Sequence, residues 1–158
     1  MGEQTLNERS FDFWIGDWTT RWKDARGRIH RGTNVVLKLD QSIRELFEGP
    51  SRSRRYVGVS ISKWDSGSST WRQEYWDNSG YHAFFNGGWR GDRFILDQVH
   101  DDPAPEARHR LVWHNVKADT LLWDYEVSDD GGRTWPSTWH IAYERDQPFG
   151  SALRSAAL

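Results

Sequence analysis

The stretch LLWDYEVSDDGGRTWPSTWHIAYER, residues 121–145, decides the fold class. Its first eight residues alternate, with Leu121, Trp123, Tyr125 and Val127 on one side of an extended chain and Leu122, Asp124, Glu126 and Ser128 on the other. A period of two marks a strand with one buried face, so Leu121–Ser128 is predicted as a strand whose odd positions point inward. Asp129, Asp130, Gly131 and Gly132 then supply turn chemistry, and Ser137–Arg145 reads as the returning strand. If Trp139, Ile141 and Tyr143 face inward there, His140 faces out.

The same pattern repeats toward the N-terminus. Strands are predicted at Asp17–Asp24, Thr33–Leu39, Ile43–Glu48, Arg55–Lys63, Thr70–Asp77, His82–Asn86, Arg93–His100 and Arg108–Asn115. Turn residues separate them at Ala25–Arg28, Asp65–Ser68, Asn78–Gly80, Gly87-Gly88 and Asp101–Pro103. Ten short strands on tight turns imply an all-β fold, a single antiparallel up-and-down barrel, because closure removes exposed strand edges. The exception is Ser10–Ile15, where Ser10 is expected to cap one or two helical turns. That short helical plug would carry Phe11, Phe13 and Trp14 into one end of the barrel.

Composition agrees with a barrel. Only 36% of the 158 residues are hydrophobic, yet the chain has 11 Trp, 5 Tyr and 7 Phe against a single Met. Such a core is built from large rings with polar handles rather than from interlocking aliphatics. The length suits one domain over residues 1–158, with 1–9 and 147–158 expected as flexible tails. The absence of cysteine excludes disulfides and thiolate chemistry. A formal charge of −2 without charged blocks gives no reason to expect nucleic acid or a membrane surface as partner. Neither a signal-like start nor an apolar run of about 18 residues is present, so a cytoplasmic protein is expected. A homo-oligomer is compatible with the sequence.

Phe11-Asp12-Phe13-Trp14-Ile15-Gly16-Asp17-Trp18 resembles the opening of an uncharacterised bacterial family of lipocalin-like, calycin-type barrels, which begin with Phe-Asp-Phe-Trp-x-Gly-x-Trp. Trp71-x-Gln73-x-Tyr75-x-Asp77-x-x-Gly80, Trp113, and Ser128–Trp135 followed by Tyr143 also fit that family. The resemblance implies a barrel with an internal pocket. Gly16-x-Trp18 is similar to the lipocalin signature in which an Arg late in the chain covers the Trp ring, and Arg145 is the candidate partner. Ser128–Trp135 has the letters of the Asp-box of sialidases, here implying a braced hairpin.

Alternation then names the pocket. Trp22, Phe47, Gln73, Tyr75, Trp113, Trp123 and Tyr125 are the candidate ligand-binding residues. Glu45 falls on the inward face of its strand, where a carboxylate among rings has a raised pKa and needs hydrogen-bond partners. Gln73 and Asp77 are expected to supply them, and Glu45 and Asp77 are the candidate catalytic pair. Both a satisfied network that fixes register and an acid–base or ligand-orienting role stay open for them.

The expected partner is a small apolar or aromatic metabolite, with no cofactor. The alternative is a cofactor-free cyclase, isomerase or dehydratase of natural-product biosynthesis, by analogy with calycin-like cyclases. A haem-binding barrel is a further alternative, because the distantly similar nitrobindins ligate iron through a late-strand His and His140 is near such a position. His100 and His109 are expected to be solvated, and His30 and His82 to rim an open end. No His-x-His or His-x-x-x-His pair suggests a zinc site, and no metal is expected.

Overall fold

The computed structural model describes residues 6–51, 54–102 and 106–146. A 3-10 turn at Asp12–Trp14 precedes β1 (Gly16–Lys23), β2 (Ile29–Leu39), β3 (Ser42–Gly49), β4 (Tyr56–Asp65) and β5 (Thr70–Asp77). The chain continues through β6 (His82–Arg90), β7 (Arg93–Gln98), β8 (Arg108–His114), β9 (Thr120–Ser128) and β10 (Ser137–Arg145). Every strand pairs antiparallel with its sequence neighbours, and β1 pairs with β10, so the sheet is a closed up-and-down barrel. No helix among the described residues is long and apolar enough to cross a membrane.

The inward faces are those that alternation predicts. Trp18 and Thr20 of β1 and Leu121 of β9 are buried, and Trp71 and Gln73 of β5 are buried on one face of their strand. Trp76 takes the outer face, where its ring stacks on His82 at 5.4 Å. Asp124 and Glu126 also point outward, yet each is only 6% exposed. Glu126 is covered by Arg93 and Arg110, and Asp124 by His114, Ser137 and His140.

One end of the barrel is stoppered. Phe11 and Trp14 stack 4.9 Å apart and are buried, and Phe11 also stacks on Phe94 at 4.3 Å. Ser10 does not cap this turn, since Phe11 occupies the N-cap without a side-chain bond. The Ser10 hydroxyl instead accepts from the Asn7 N–H, closing the turn before it. Of the N-terminal stretch expected to be a tail, residues 6–9 are tied to the barrel: the Trp71 indole donates to the Asn7 carbonyl, and Gly88 leaves room for Leu6. Residues 1–5 and 147–158 lie outside the described residues.

Two strand boundaries differ from expectation by four residues, the others by two or fewer. β2 begins at Ile29 rather than Thr33, because Ile29–Gly32 pairs with the end of β1. Gly87 and Gly88 are not a turn; they lie inside β6, and the turn follows at Gly91. Gly87 is needed for close approach, since a Cβ there would sit 2.1 Å from the Ile95 carbonyl oxygen of β7. A glycine pair that serves contact between strands is indistinguishable by composition from one that serves a turn.

The seam between β1 and β10 holds only four residue pairs, Trp18↔Arg145 through Arg21↔Ala142. The Arg145 guanidinium lies 4.2 Å over the Trp18 ring and donates to the carbonyls of Ile15, Phe13 and Ala118. It therefore joins strand, plug and the β8–β9 connection at one point. Replacing Arg145 with Ala removes the ring contact and strands those carbonyls, a loss of about 3 kcal/mol. Urea unfolding is expected to show that loss as a lower midpoint, with Arg145→Lys recovering only part of it for want of a planar fork.

Candidate functional site

With strands alternating in direction, the turns after β2, β4, β6 and β8 lie at the stoppered end, and those after β1, β3, β5, β7 and β9 surround the other. A cavity of about 370 Å³ opens there, within the range of small-molecule sites. Trp113 forms its floor, with its ring 5.0 and 5.2 Å from Phe11 and Trp14 of the plug. Phe47, Phe85, Leu111, Trp123, Trp139 and Ile141 make apolar walls. Glu45, Gln73 and Tyr143 lie among them, and Tyr56, Tyr75, Asp77, Ser79, Tyr81 and Tyr125 complete the lining.

Glu45 is held from two strands. Its Oε1 accepts from the Ser60 hydroxyl of β4 at 2.7 Å, and its Oε2 accepts from the Asn34 amide of β2 at 2.8 Å. The same Asn34 nitrogen donates to the Tyr143 hydroxyl at 2.9 Å. Both Glu45 contacts are with neutral groups. What surface Glu45 exposes belongs to the cavity wall. Burial pushes its carboxyl up to about 7, and the bonds from Ser60 and Asn34 only partly oppose that shift. The expected partners, Gln73 and Asp77, are not the ones found: Gln73 donates to Ser62, and Asp77 serves the next turn. Ser60 stands directly across from Glu45 in the β3–β4 register, whereas Gln73 is a strand further round.

A phenol cluster lies beside it. The Tyr56 and Tyr75 hydroxyls are in direct hydrogen-bond contact, and Tyr56 also donates to Asp77 Oδ2 at 3.2 Å. Gly58 permits this, because a Cβ there would lie 2.5 Å from the Tyr75 hydroxyl. Burial raises both phenols above their ordinary pKa, so they remain protonated donors at neutral pH. Asp77 Oδ1 accepts from Ser79 and from the Tyr81 N–H, leaving only Oδ2 for the cavity side. Tyr125 is hydrogen-bonded with His109 at 2.6 Å.

The structure brings Glu45, Phe47, Gln73, Tyr75, Asp77, Trp113, Trp123 and Tyr125 to one cavity. Trp22 is not in its lining; its ring backs Phe47 and Trp139 at 5.8 and 5.6 Å. Sequence reasoning missed Asn34, Ser60, Tyr56 and Trp139. Trp139 was legible from the alternation of its own strand, while Asn34 and Ser60 needed the register between strands. Neither His100 nor His109 is solvated as expected: both are half-buried, and burial together with His100 holds the His109 imidazole below the ordinary value. His30 and His82 lie at the open end, the first hydrogen-bonded with Asp24 and the second with Glu74. His140 lies outside the barrel with Nδ1 2.8 Å from Asp124, turned away from any iron held in the cavity. Asp130 organises the β9–β10 hairpin through Ser128, Arg133 and Thr134, with the Trp135 indole donating to Gly132.

These features define an antiparallel barrel with an aromatic internal cavity. No protein-family model matches the sequence, and no curated protein matches it significantly. Among solved structures, the S-type phycobiliprotein lyase of Guillardia theta is similar over 89% of this chain and 92% of its own, at 10% identity and a TM-score of 0.56. A de novo designed fluorescence-activating β-barrel is similar over 89% of this chain and all of its own, at 16% identity and a TM-score of 0.48. The first of these likenesses supports the ten-stranded barrel as a fold.

The Glu45 shift has a measurable sign. Its folded value of about 7 exceeds the ordinary 4.5, so the folded chain binds the extra proton, and stability falls as pH rises through that window. Glu45→Gln is therefore expected to flatten the pH dependence of the unfolding free energy between these values. Above about pH 7 it should equal or exceed the parent in stability, read from denaturant midpoints at stepped pH.

Proposed function

We propose that this barrel binds a small, largely apolar aromatic molecule that offers a hydrogen-bond donor or cation to Glu45. The observation that supports this most is the Glu45 carboxylate, bonded to the neutral groups of Asn34 and Ser60, on a cavity wall composed mainly of rings. Rings at Trp113, Trp123, Trp139 and Phe47 favour flat apolar ligands, and the phenols of Tyr56, Tyr75 and Tyr125 offer further polar contacts. Membership of the bacterial lipocalin-like family is part of the proposal, supported by the Phe11–Trp18 motif and its place at plug and seam. The likeness to a barrel named as a phycobiliprotein lyase is compatible with it without narrowing the ligand.

Glu45 supports one second function. A carboxyl titrating at about 7 has both its forms at neutral pH, as general acid–base catalysis requires. A cofactor-free isomerase or cyclase would use it directly on the substrate, with Asp77 contributing through Tyr56.

Calorimetric titration with tryptamine and with 3-propylindole, equal in ring and similar in length, separates stacking from the charge contact. Tryptamine is expected to bind about tenfold more tightly, with the advantage growing as pH rises through about 7 and vanishing in Glu45→Gln. Equal affinities in the parent, or an advantage that survives the substitution, would sink the proposal. Catalysis would instead appear as a Glu45→Gln variant that keeps affinity for a substrate while losing turnover.

A further inference from the structure

We propose that the outer wall carries a divalent transition-metal site, formed by His114, Asp124 and His140 and suited to zinc. The three residues come from adjacent strands β8, β9 and β10. His140 stands directly opposite Asp124 in the register, and His114 lies on the diagonal, its partner Leu122 being two residues before Asp124. His114 Nε2 is 2.5 Å from one Asp124 oxygen and His140 Nδ1 is 2.8 Å from the other. All three ligand atoms lie within 4.8 Å of one another. A zinc ion at the usual distance of about 2.0 Å from each ligand holds tetrahedral ligand atoms about 3.3 Å apart, so the two imidazole–carboxylate contacts would open modestly to admit it. His140, with 55% of its side chain exposed, is free to make that adjustment and leaves a solvent-facing position for water.

The neighbouring carboxylate sharpens the case. Glu126 faces the same side of β9 two residues further on, equally buried, and is paired by Arg93 and Arg110. Permanent cations are the ordinary means of holding a buried carboxylate. The ion pairs of Asp124 are instead both with imidazoles, the side chains able to exchange a ring proton for a metal. His114 Nδ1 is 3.2 Å from the Asn115 side-chain oxygen, which favours a proton on Nδ1 and turns Nε2 toward the site. Two imidazoles and one carboxylate with open positions suit zinc, and cobalt takes the same donors. A cation there would tie together the strands that carry Trp113, Trp123 and Trp139 on their inner face, independently of what the cavity holds.

The test uses untagged protein stripped with EDTA and titrated calorimetrically with Zn²⁺, with Co²⁺ as an absorbance probe. One equivalent of Zn²⁺ is expected to bind, and Co²⁺ to show d–d bands of low-coordinate, nitrogen-containing ligation. His114→Gln and His140→Gln should each weaken zinc by at least about tenfold. His82→Gln, whose imidazole pairs with Glu74 elsewhere on the outer wall, should leave the Kd unchanged. Because His140 is exposed, its variant keeps the fold, and a zinc-dependent rise in Tm should be present in the parent and absent in the double variant. Absence of saturable binding below millimolar Zn²⁺, or binding that persists in the His114→Gln/His140→Gln protein, would overturn the site.

Discussion

Closure is the constraint from which the rest of this structure follows. A ten-stranded meander has two free edges until β1 meets β10, and that seam is four residue pairs long. Arg145 compensates for its shortness by covering Trp18 and bonding the carbonyls of Phe13, Ile15 and Ala118 with one guanidinium. A planar group with several donors can serve ring and backbone at once, which an ammonium cannot. Once the seam is shut, every strand must commit one face to a narrow interior, and the plug at Phe11 and Trp14 closes one end. The cavity is what remains above Trp113.

Carboxylates on the two sides of the wall are satisfied by opposite means. Outside, Asp124 and Glu126 are nearly buried but meet groups that carry or can acquire positive charge, and hydrogen bonds from Ser137, His114 and His140 overcome burial to hold Asp124 below the usual carboxylate value. Inside, Glu45 has an amide and a hydroxyl, so burial prevails and its proton affinity rises. One residue type thus acquires two protonation habits within a single sheet. The neutral partners leave Glu45 available to a ligand that brings its own donor.

The architecture was largely legible because turn residues and period-two alternation are local signals. Trp18, Gln73, Leu121 and Trp123 take the sides that parity predicts. The misreadings arose where one local signal has two physical uses. Gly87 resembles a turn glycine but makes room for the β7 backbone, and Ser10 resembles a helix cap but closes the preceding turn. At the candidate site, the presence of Glu45 inside was legible and the identity of its partners was not. Asn34 and Ser60 meet it only because β2, β3 and β4 are aligned residue by residue, and alignment between strands is a tertiary property.

The indoles described above form an unbroken line. From Trp22 near the open end, ring centroids step to Trp139 at 5.6 Å, to Trp123 at 5.8 Å, to Trp113 at 6.4 Å and to Trp14 in the plug at 5.2 Å. At such spacings the transition dipoles of neighbouring indoles couple, and electronic excitation migrates among them faster than it is emitted. The column therefore gives excitation a path between the mouth and the floor of the cavity. A molecule that quenches one ring of the line draws excitation from its neighbours, and the couplings along the line enter the near-ultraviolet dichroism beside the contributions of the other six tryptophans.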